Sequence, residues 1–440
     1  MSAPAKDDGV GPGSAGRGSR RLKASAPPRL VAPARQLIDE PVAARVIGVQ
    51  PGRVVRVRAR AADTLGHVFG SWADYRAGPA GEVEPAVDAP LVGTYGGVDA
   101  FGLWWSMSGP ADVGFVTDLG PVHTELSVES DGTVLATAGH WRDWLGHGVA
   151  RAAVGGDVPG DLFLPARRPA PGVVVLGGSE GGRRPALGTA ALLAGHGLAA
   201  LALAYFGEAG LPPTLVEVPV EVVGRALDRL AAHPAVSGRA LGIVGSSRGG
   251  ELALLAAATF PLVGAVVGWA ASAVLWAGLG AGARVGGAAW TWADEALPFA
   301  TPVAEKVVRA GDVVHAAPSF EAVLDQALGG DAAIPVERIR GPVLLVSGGD
   351  DRMWPATTMA EAVVRRLARH GRHDAVHLCY PNGGHLAGRP PGLPALPRDP
   401  PHPADGRRYA LGGTAWADAS SGADAWPRVV AFLKQTLGST

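Results

Sequence analysis

The sequence predicts an α/β domain built on a mostly parallel sheet, preceded by a smaller all-β, sandwich-like domain. From about residue 160 apolar runs alternate with helical segments, and such alternation implies parallel strands joined by right-handed crossovers. Before that point short alternating runs are separated by turn residues, the pattern of antiparallel strands. The 440 residues suit two domains plus tails, and with 47% hydrophobic against 18% charged residues both can bury a core.

Residues 1–34 are expected to be a disordered tail. Their start is rich in Ala, Gly, Pro and Ser and lacks the apolar region of a secretory signal. Arg17, Arg20, Arg21 and Lys23 would suit an organelle transit peptide, but Asp7 and Asp8 oppose that reading. Residues 35–155 form the all-β domain: Val54 to Ala59 and Val122 to Val128 alternate, and Pro51-Gly52, Gly96-Gly97 and Asp131-Gly132 supply turns. No constellation of reactive groups stands out there.

Residues 156–440 carry the second domain. Val173 to Leu176 is a buried strand that ends in Gly177 to Gly182, and a helix follows to Gly197. Leu198 to Tyr205 is a second strand, Val218 to His233 has helical spacing, and Ala240 to Gly245 is a third strand. Val343 to Ser347 and Ala375 to Tyr380 supply two more. Leu252 to Ala283 has no charged residue and is long enough for a membrane span. Pro261 and Gly264, Gly268, Gly278 and Gly280 interrupt it, so a buried helix followed by a buried strand, Val263 to Trp269, is expected instead.

Charge and cysteine content narrow the function. The 39 basic and 40 acidic residues nearly cancel, which leaves no global field for nucleic acid or an anionic membrane. A phosphate-bearing ligand would have to be held locally. One cysteine, Cys379, excludes an intramolecular disulfide and Cys-cluster metal sites, and it fits a reducing cytoplasm.

Gly245-Ser246-Ser247-Arg248-Gly249 matches G-x-S-x-G at a junction of strand and helix. Glycines flank such a serine because it sits on a strained elbow where neighbouring side chains would collide. Ser247 is therefore the candidate nucleophile of an α/β-hydrolase, and Ser246 reads as a packed strand-end hydroxyl. A serine needs a base oriented by a third group, and in this fold acid and histidine follow in that order at strand ends. Asp350 and Asp351 follow the strand at Val343; Asp351 is preferred as the acid because it stands four residues before Pro355, with Asp350 capping the loop. His385 follows Gly383-Gly384 after the last strand and is the candidate base; His373, His377 and His402 lack such a turn. The backbone amides of Arg248 and Ser179 are the candidate oxyanion donors, with Gly178 the alternative to Ser179. Gly177 to Gly182 fits a phosphate-binding loop poorly, because it lacks G-x-x-x-x-G-K-[ST].

With these residues in place, the chain resembles the type I acyl-CoA thioesterases and the bile acid-CoA:amino acid N-acyltransferases over nearly all of residues 35–437. The resemblance rests on Gly177 to Gly182, Leu201 to Gly207, Gly245 to Glu251, Gly348 to Asp351 with Trp354, and Cys379 to His385. In the first domain Asp39-Glu40-Pro41 and Phe101 to Trp105 carry it. It implies a lipid-metabolic hydrolase acting on acyl-CoA or acyl-carrier thioesters without metal or redox cofactor. Serine at the elbow accompanies hydrolysis in that family and cysteine accompanies amide formation, so Ser247 points to hydrolysis. Transfer to an amine or alcohol, hydrolysis of an oxygen ester, and a non-catalytic scaffold are the alternatives. Cys379 is expected to be a buried strand residue, and Trp276, Trp290 and Trp292 are candidates to line an acyl pocket or simply to pack.

Overall fold

The structure, a computed structural model, describes residues 1–2, 27–283, 285–403 and 405–438. Residues 3–26 of the expected tail lie outside the described residues. By Arg29 the chain is already paired: Arg29–Val31 (β1), Arg35–Leu37 (β2) and Arg45–Ile47 (β3) come first, and β1 runs antiparallel to β3.

Val54–Ala62 (β4), Val68–Arg76 (β5), Val92–Gly93 (β6), Val122–Ser130 (β7) and Thr133–Asp143 (β8) follow. They join β2 in a six-stranded sheet of order β2-β8-β7-β4-β5-β6, antiparallel except where β2 meets β8. The period of two in β4 buries Val55, Val57, Ala59 and Ala61 and turns Arg56, Arg58 and Arg60 outward. β1 lies against β7 and β8 as the start of a second layer. A buried turn of helix, Gly102–Trp105 (α1), packs against β4 and β5.

The main sheet contains Ala150–Val154 (β9), Gly160–Leu164 (β10), Ala170–Leu176 (β11), Ala199–Leu203 (β12), Val236–Ser246 (β13), Val263–Trp269 (β14), Val343–Gly348 (β15) and Ala375–Tyr380 (β16). Their spatial order is β16-β15-β14-β13-β11-β12-β10-β9. From β12 to β16 all neighbours are parallel, while β10 and β9 are added antiparallel. The expected domain boundary at 155 thus falls inside a hairpin, and β9 belongs to the main sheet.

Helices Arg184–Gly195 (α2), Glu221–Ala231 (α3), Arg248–Thr259 (α4), Ala317–Gly329 (α5), Ala356–Arg369 (α6) and Ala415–Gly438 (α7) complete the domain. Alternate residues of β11 divide between two cores. Val174 and Leu176 join α3, α4 and α6; Val173 and Val175 join α2, α7 and the interior of the first domain. The uncharged run from Leu252 is spent on α4 and then β14, both buried, and among the described residues no helix is long and apolar enough to cross a membrane. Residues 270–342, between β14 and β15, form a cap. Its strands Val308–Ala310 and Val313–His315 pair with each other, and Val313–His315 also pairs with Arg408–Tyr409 from the far end of the chain.

Candidate active site

Ser247 stands where β13 turns into α4, with φ 57° and ψ −122°. An L residue rarely adopts such a backbone, and the glycines around it are what allow the turn to close. A Cβ on Gly245 would lie 2.0 Å from the Gly249 carbonyl oxygen, and one on Gly249 would lie 2.0 Å from that of Gly177. The Ser247 amide donates to the Trp269 carbonyl at 2.8 Å, which ties the elbow to the neighbouring strand.

Asp351 follows β15 and His385 follows β16, so the sheet register brings both beside the elbow. One Asp351 oxygen accepts the amides of Met353 and Trp354 at 2.9 and 3.2 Å, and the other accepts from His385 Nδ1 at 2.8 Å. Because an ionised carboxylate can only accept, Nδ1 carries the proton and Nε2 is left to accept from the Ser247 hydroxyl, 3.1 Å away. The His385 and Asp351 side chains are 6% and 2% exposed, so little water competes for these bonds. His385 is itself anchored, its amide donating to the Leu411 carbonyl at 2.8 Å, while the preceding Gly384 amide donates to Asp418 at 2.7 Å. Asp350 faces the other way and accepts from the Gly413 amide at 2.9 Å and from Arg352 at 3.1 Å. Ser246, beside the nucleophile, accepts from Arg389 at 3.2 Å.

The loop after β11 lies against the nucleophile, since a Cβ on Gly178 would sit 3.4 Å from that of Ser247. Tyr205, two residues past β12, holds this loop, its one hydroxyl proton shared between the carbonyls of Gly177 and Gly178 at 2.8 and 2.9 Å. Burial pushes its phenol well above the usual range, which keeps it a donor. From sequence Tyr205 stood out only as part of Leu201 to Gly207, a segment that carries the family resemblance, with no role assigned to its hydroxyl. The amides of Arg248 and Ser179 donate to no backbone carbonyl among the described residues.

Beneath the elbow, the Arg248 guanidinium pairs with Glu251 at 3.1 Å and donates to the carbonyls of Trp276 and Ala277 at 3.0 and 3.3 Å. Glu251, fully buried, accepts from the indole of Trp290 at 2.6 Å and the amide of Trp276 at 3.2 Å. Burial pushes its carboxyl up to about 7 against the pull of Arg248.

A cavity of about 400 Å³ opens above Ser247, walled by Ser179, Trp276, Val314, Phe320 and His402 among others. Of the three candidate tryptophans only Trp276 lines it, meeting Phe320 edge-on at 4.9 Å. Trp290 is turned inward onto Glu251, and Trp292, 41% exposed, rests on Phe260 outside the cavity. Cys379 is exposed, contrary to the expectation of burial, because β16 is the edge strand of the sheet. His402, set aside from sequence for want of a strand-end turn, stands in the cavity wall.

A parallel sheet whose strand order reverses at β11, with a serine perched on the strained turn beside that point, makes this an α/β-hydrolase. Within that class the chain belongs to the family of acyl-CoA thioester hydrolases and bile acid acyltransferases. Residues 218–439 match the family described as BAAT / Acyl-CoA thioester hydrolase C terminal, and residues 39–155 match Acyl-CoA thioester hydrolase/BAAT N-terminal region. The chain is 34% identical over 421 residues to acyl-coenzyme A thioesterase 1 of Homo sapiens, covering 91% of this chain and 94% of that one. It is 30% identical over 431 residues to acyl-coenzyme A amino acid N-acyltransferase 1 of Mus musculus, covering 93% and 97%. Among solved structures, a puromycin-hydrolyzing peptidase of Mycobacterium tuberculosis overlays with a TM-score of 0.44 at 15% identity, covering 86% of this chain and 53% of that one.

Proposed function

We propose that this protein hydrolyses acyl-CoA thioesters to the free acid and CoA, with Ser247 as nucleophile, His385 as base and Asp351 as the group that orients it. The reading is carried by the relay from Asp351 through His385 to Ser247, in steps of 2.8 and 3.1 Å, ending in a largely apolar cavity. The kinship to acyl-CoA thioesterases supports the substrate class.

In this mechanism His385 Nε2 takes the Ser247 proton as the oxygen attacks the thioester carbonyl. The amides of Arg248 and Ser179 receive the developing oxyanion. The carbon–sulfur bond breaks, the imidazolium returns its proton to the CoA sulfur, and an acyl-serine ester remains. His385 then removes a proton from water, which attacks that ester and frees the acid. A free cysteine that is exposed on the surface supports a reducing compartment such as the cytoplasm as the place of reaction.

Transfer to an amine is the second reading, favoured by the kinship to an amino acid N-acyltransferase. One experiment separates the two: acyl-CoA and acyl-carrier thioesters are offered with glycine or taurine, thiol release is followed and products are weighed by mass spectrometry. Wild type should give free acid and prefer the CoA thioester, and Ser247→Ala should give neither product nor fluorophosphonate labelling. Because amines attack thioesters more readily than oxygen esters, Ser247→Cys should lose hydrolysis and gain N-acyl product. Mostly amide from wild type would overturn hydrolysis, and labelling that persists in Ser247→Ala would overturn the nucleophile.

A further inference from the structure

We propose that His402 is a positioning residue for the oxyanion hole, fixing Ser179 so that the Ser179 amide faces the carbonyl oxygen at Ser247. The proposal rests on the reading of Ser179 as an oxyanion donor given above.

The loop that must present this amide has little of its own to hold it. Gly177 and Gly178 carry no side chains, and their carbonyls are fixed from one side by the Tyr205 hydroxyl. Ser179 is the first residue of the loop with a side chain. Its hydroxyl shares a hydrogen bond with His402 Nε2 at 3.0 Å, on the side opposite in bonding from Tyr205, whose contacts are to carbonyls. Ser179, His402 and Ser247 all line the same cavity. The Ser179 N–H shares a planar unit with the Gly178 carbonyl, so Tyr205 holds that unit at its carbonyl end, while the His402 bond holds the Ser179 Cα end and resists a drift of the loop that would carry the N–H away from Ser247.

His402 is well placed to resist that movement. Its amide donates to the Arg407 carbonyl at 2.8 Å, and its own carbonyl accepts from the amides of Gly406 and Asp405 at 2.7 and 3.3 Å. Its ring meets Tyr409 edge-on at 5.8 Å, and Tyr409 is paired with Val314 of the cap. Val314 and Tyr409 are also cavity walls. The group that fixes Ser179 is therefore tied, through Tyr409, to the cap strand that walls the same cavity. Oxyanion donors act on the transition state and not on the bound ground state, so the effect belongs to kcat.

Steady-state kinetics with an acyl-CoA, on His402→Ala, Ser179→Ala and the double variant, test this. Loss of a whole oxyanion donor costs about 10²–10³ in kcat, and loosening one should cost about tenfold to hundredfold. Each single variant should show that loss with KM within about twofold of wild type, and the double variant should be no worse than the poorer single. Ser179→Ala keeps the backbone amide, so its loss reports the side-chain bond alone. His402→Gln, which carries a polar atom to the position of Nε2, should recover kcat to within about threefold of wild type. The proposal is overturned if the two single losses multiply in the double variant, if Ser179→Ala keeps wild-type kcat, or if the loss lies in KM. Should His402→Ala fail to fold, Ser179→Ala and His402→Gln still decide between these outcomes. Turnover that survives in Ser247→Ala would instead strike at the parent reading, whatever the His402 variants do.

Discussion

Asp351 divides its two carboxylate oxygens between its own turn and His385, whereas Asp350 spends both on the neighbouring Gly413 amide and Arg352. An asparagine at 351 would no longer dictate which imidazole nitrogen carries the proton, nor stabilise the imidazolium once formed. We expect Asp351→Asn to lower kcat by about 10⁴, the loss seen when the orienting aspartate of a serine protease is changed in this way. Asp350→Asn should cost about tenfold through a loosened loop. Comparing the two rate constants checks the assignment, and a larger loss at Asp350 would reverse it. From sequence the pair could be ranked only by spacing to Pro355, because adjacent carboxylates on a turn point apart and their partners lie far along the chain. Gly413 is 63 residues beyond Asp350, so nothing local announces the contact. His402 escaped notice for the same reason, its partner Ser179 being 223 residues away.

The first turn of α4 combines a strained nucleophile with a buried ion pair, and the pair makes the element sensitive to pH. The Glu251 carboxyl titrates near 4.5 in an unfolded chain and is pushed up to about 7 by burial, so between these values the folded protein holds the extra proton. The stability this group contributes is complete below 4.5 and is lost as the pH rises through 7. Glu251→Gln cannot ionise and lacks that slope. Its melting temperature minus that of wild type should therefore climb from about pH 5 to about pH 8, and a constant difference would refute the shift. The elbow, its glycines and the strands around it were legible in the sequence because steric demands within a few residues leave a local pattern. The lining of the cavity was not. Trp290 and Trp292 share one face of their strand, yet the first is buried and the second, beside the hairpin turn at Ala293-Asp294, is exposed, and alternation alone does not say where along a face the core ends. The exposure of Cys379 was hidden because a strand reveals that it is an edge only when no further strand joins it.

At the scale of the whole molecule the first domain and one face of the main sheet share a continuous core. Asp39 seals the junction, accepting from His196, the residue that ends α2, at 2.6 Å and from the Trp426 indole of α7 at 2.5 Å. A change of pattern near residue 160 betrayed two regions, but apolar residues do not say which neighbour they face, so the shared core was not legible. Calorimetry should record one unfolding transition for the full chain, and residues 156–440 alone should fail to give a soluble, cooperatively melting product; two separated transitions would contradict this. Asp39→Ala strands one buried donor, the Trp426 indole, and at about 1–3 kcal/mol it should lower the melting temperature of both regions together, while the partly exposed His196 can turn to water. The same union shapes what genetics would find. Each fully buried apolar side chain, such as Val57 or Leu126 in the first domain, contributes about 1.5–3 kcal/mol to one common stability. A screen for inactive alleles will thus collect truncating changes at these positions as readily as at β13, and the map of lost activity will extend deep into a region that holds none of the proposed chemistry.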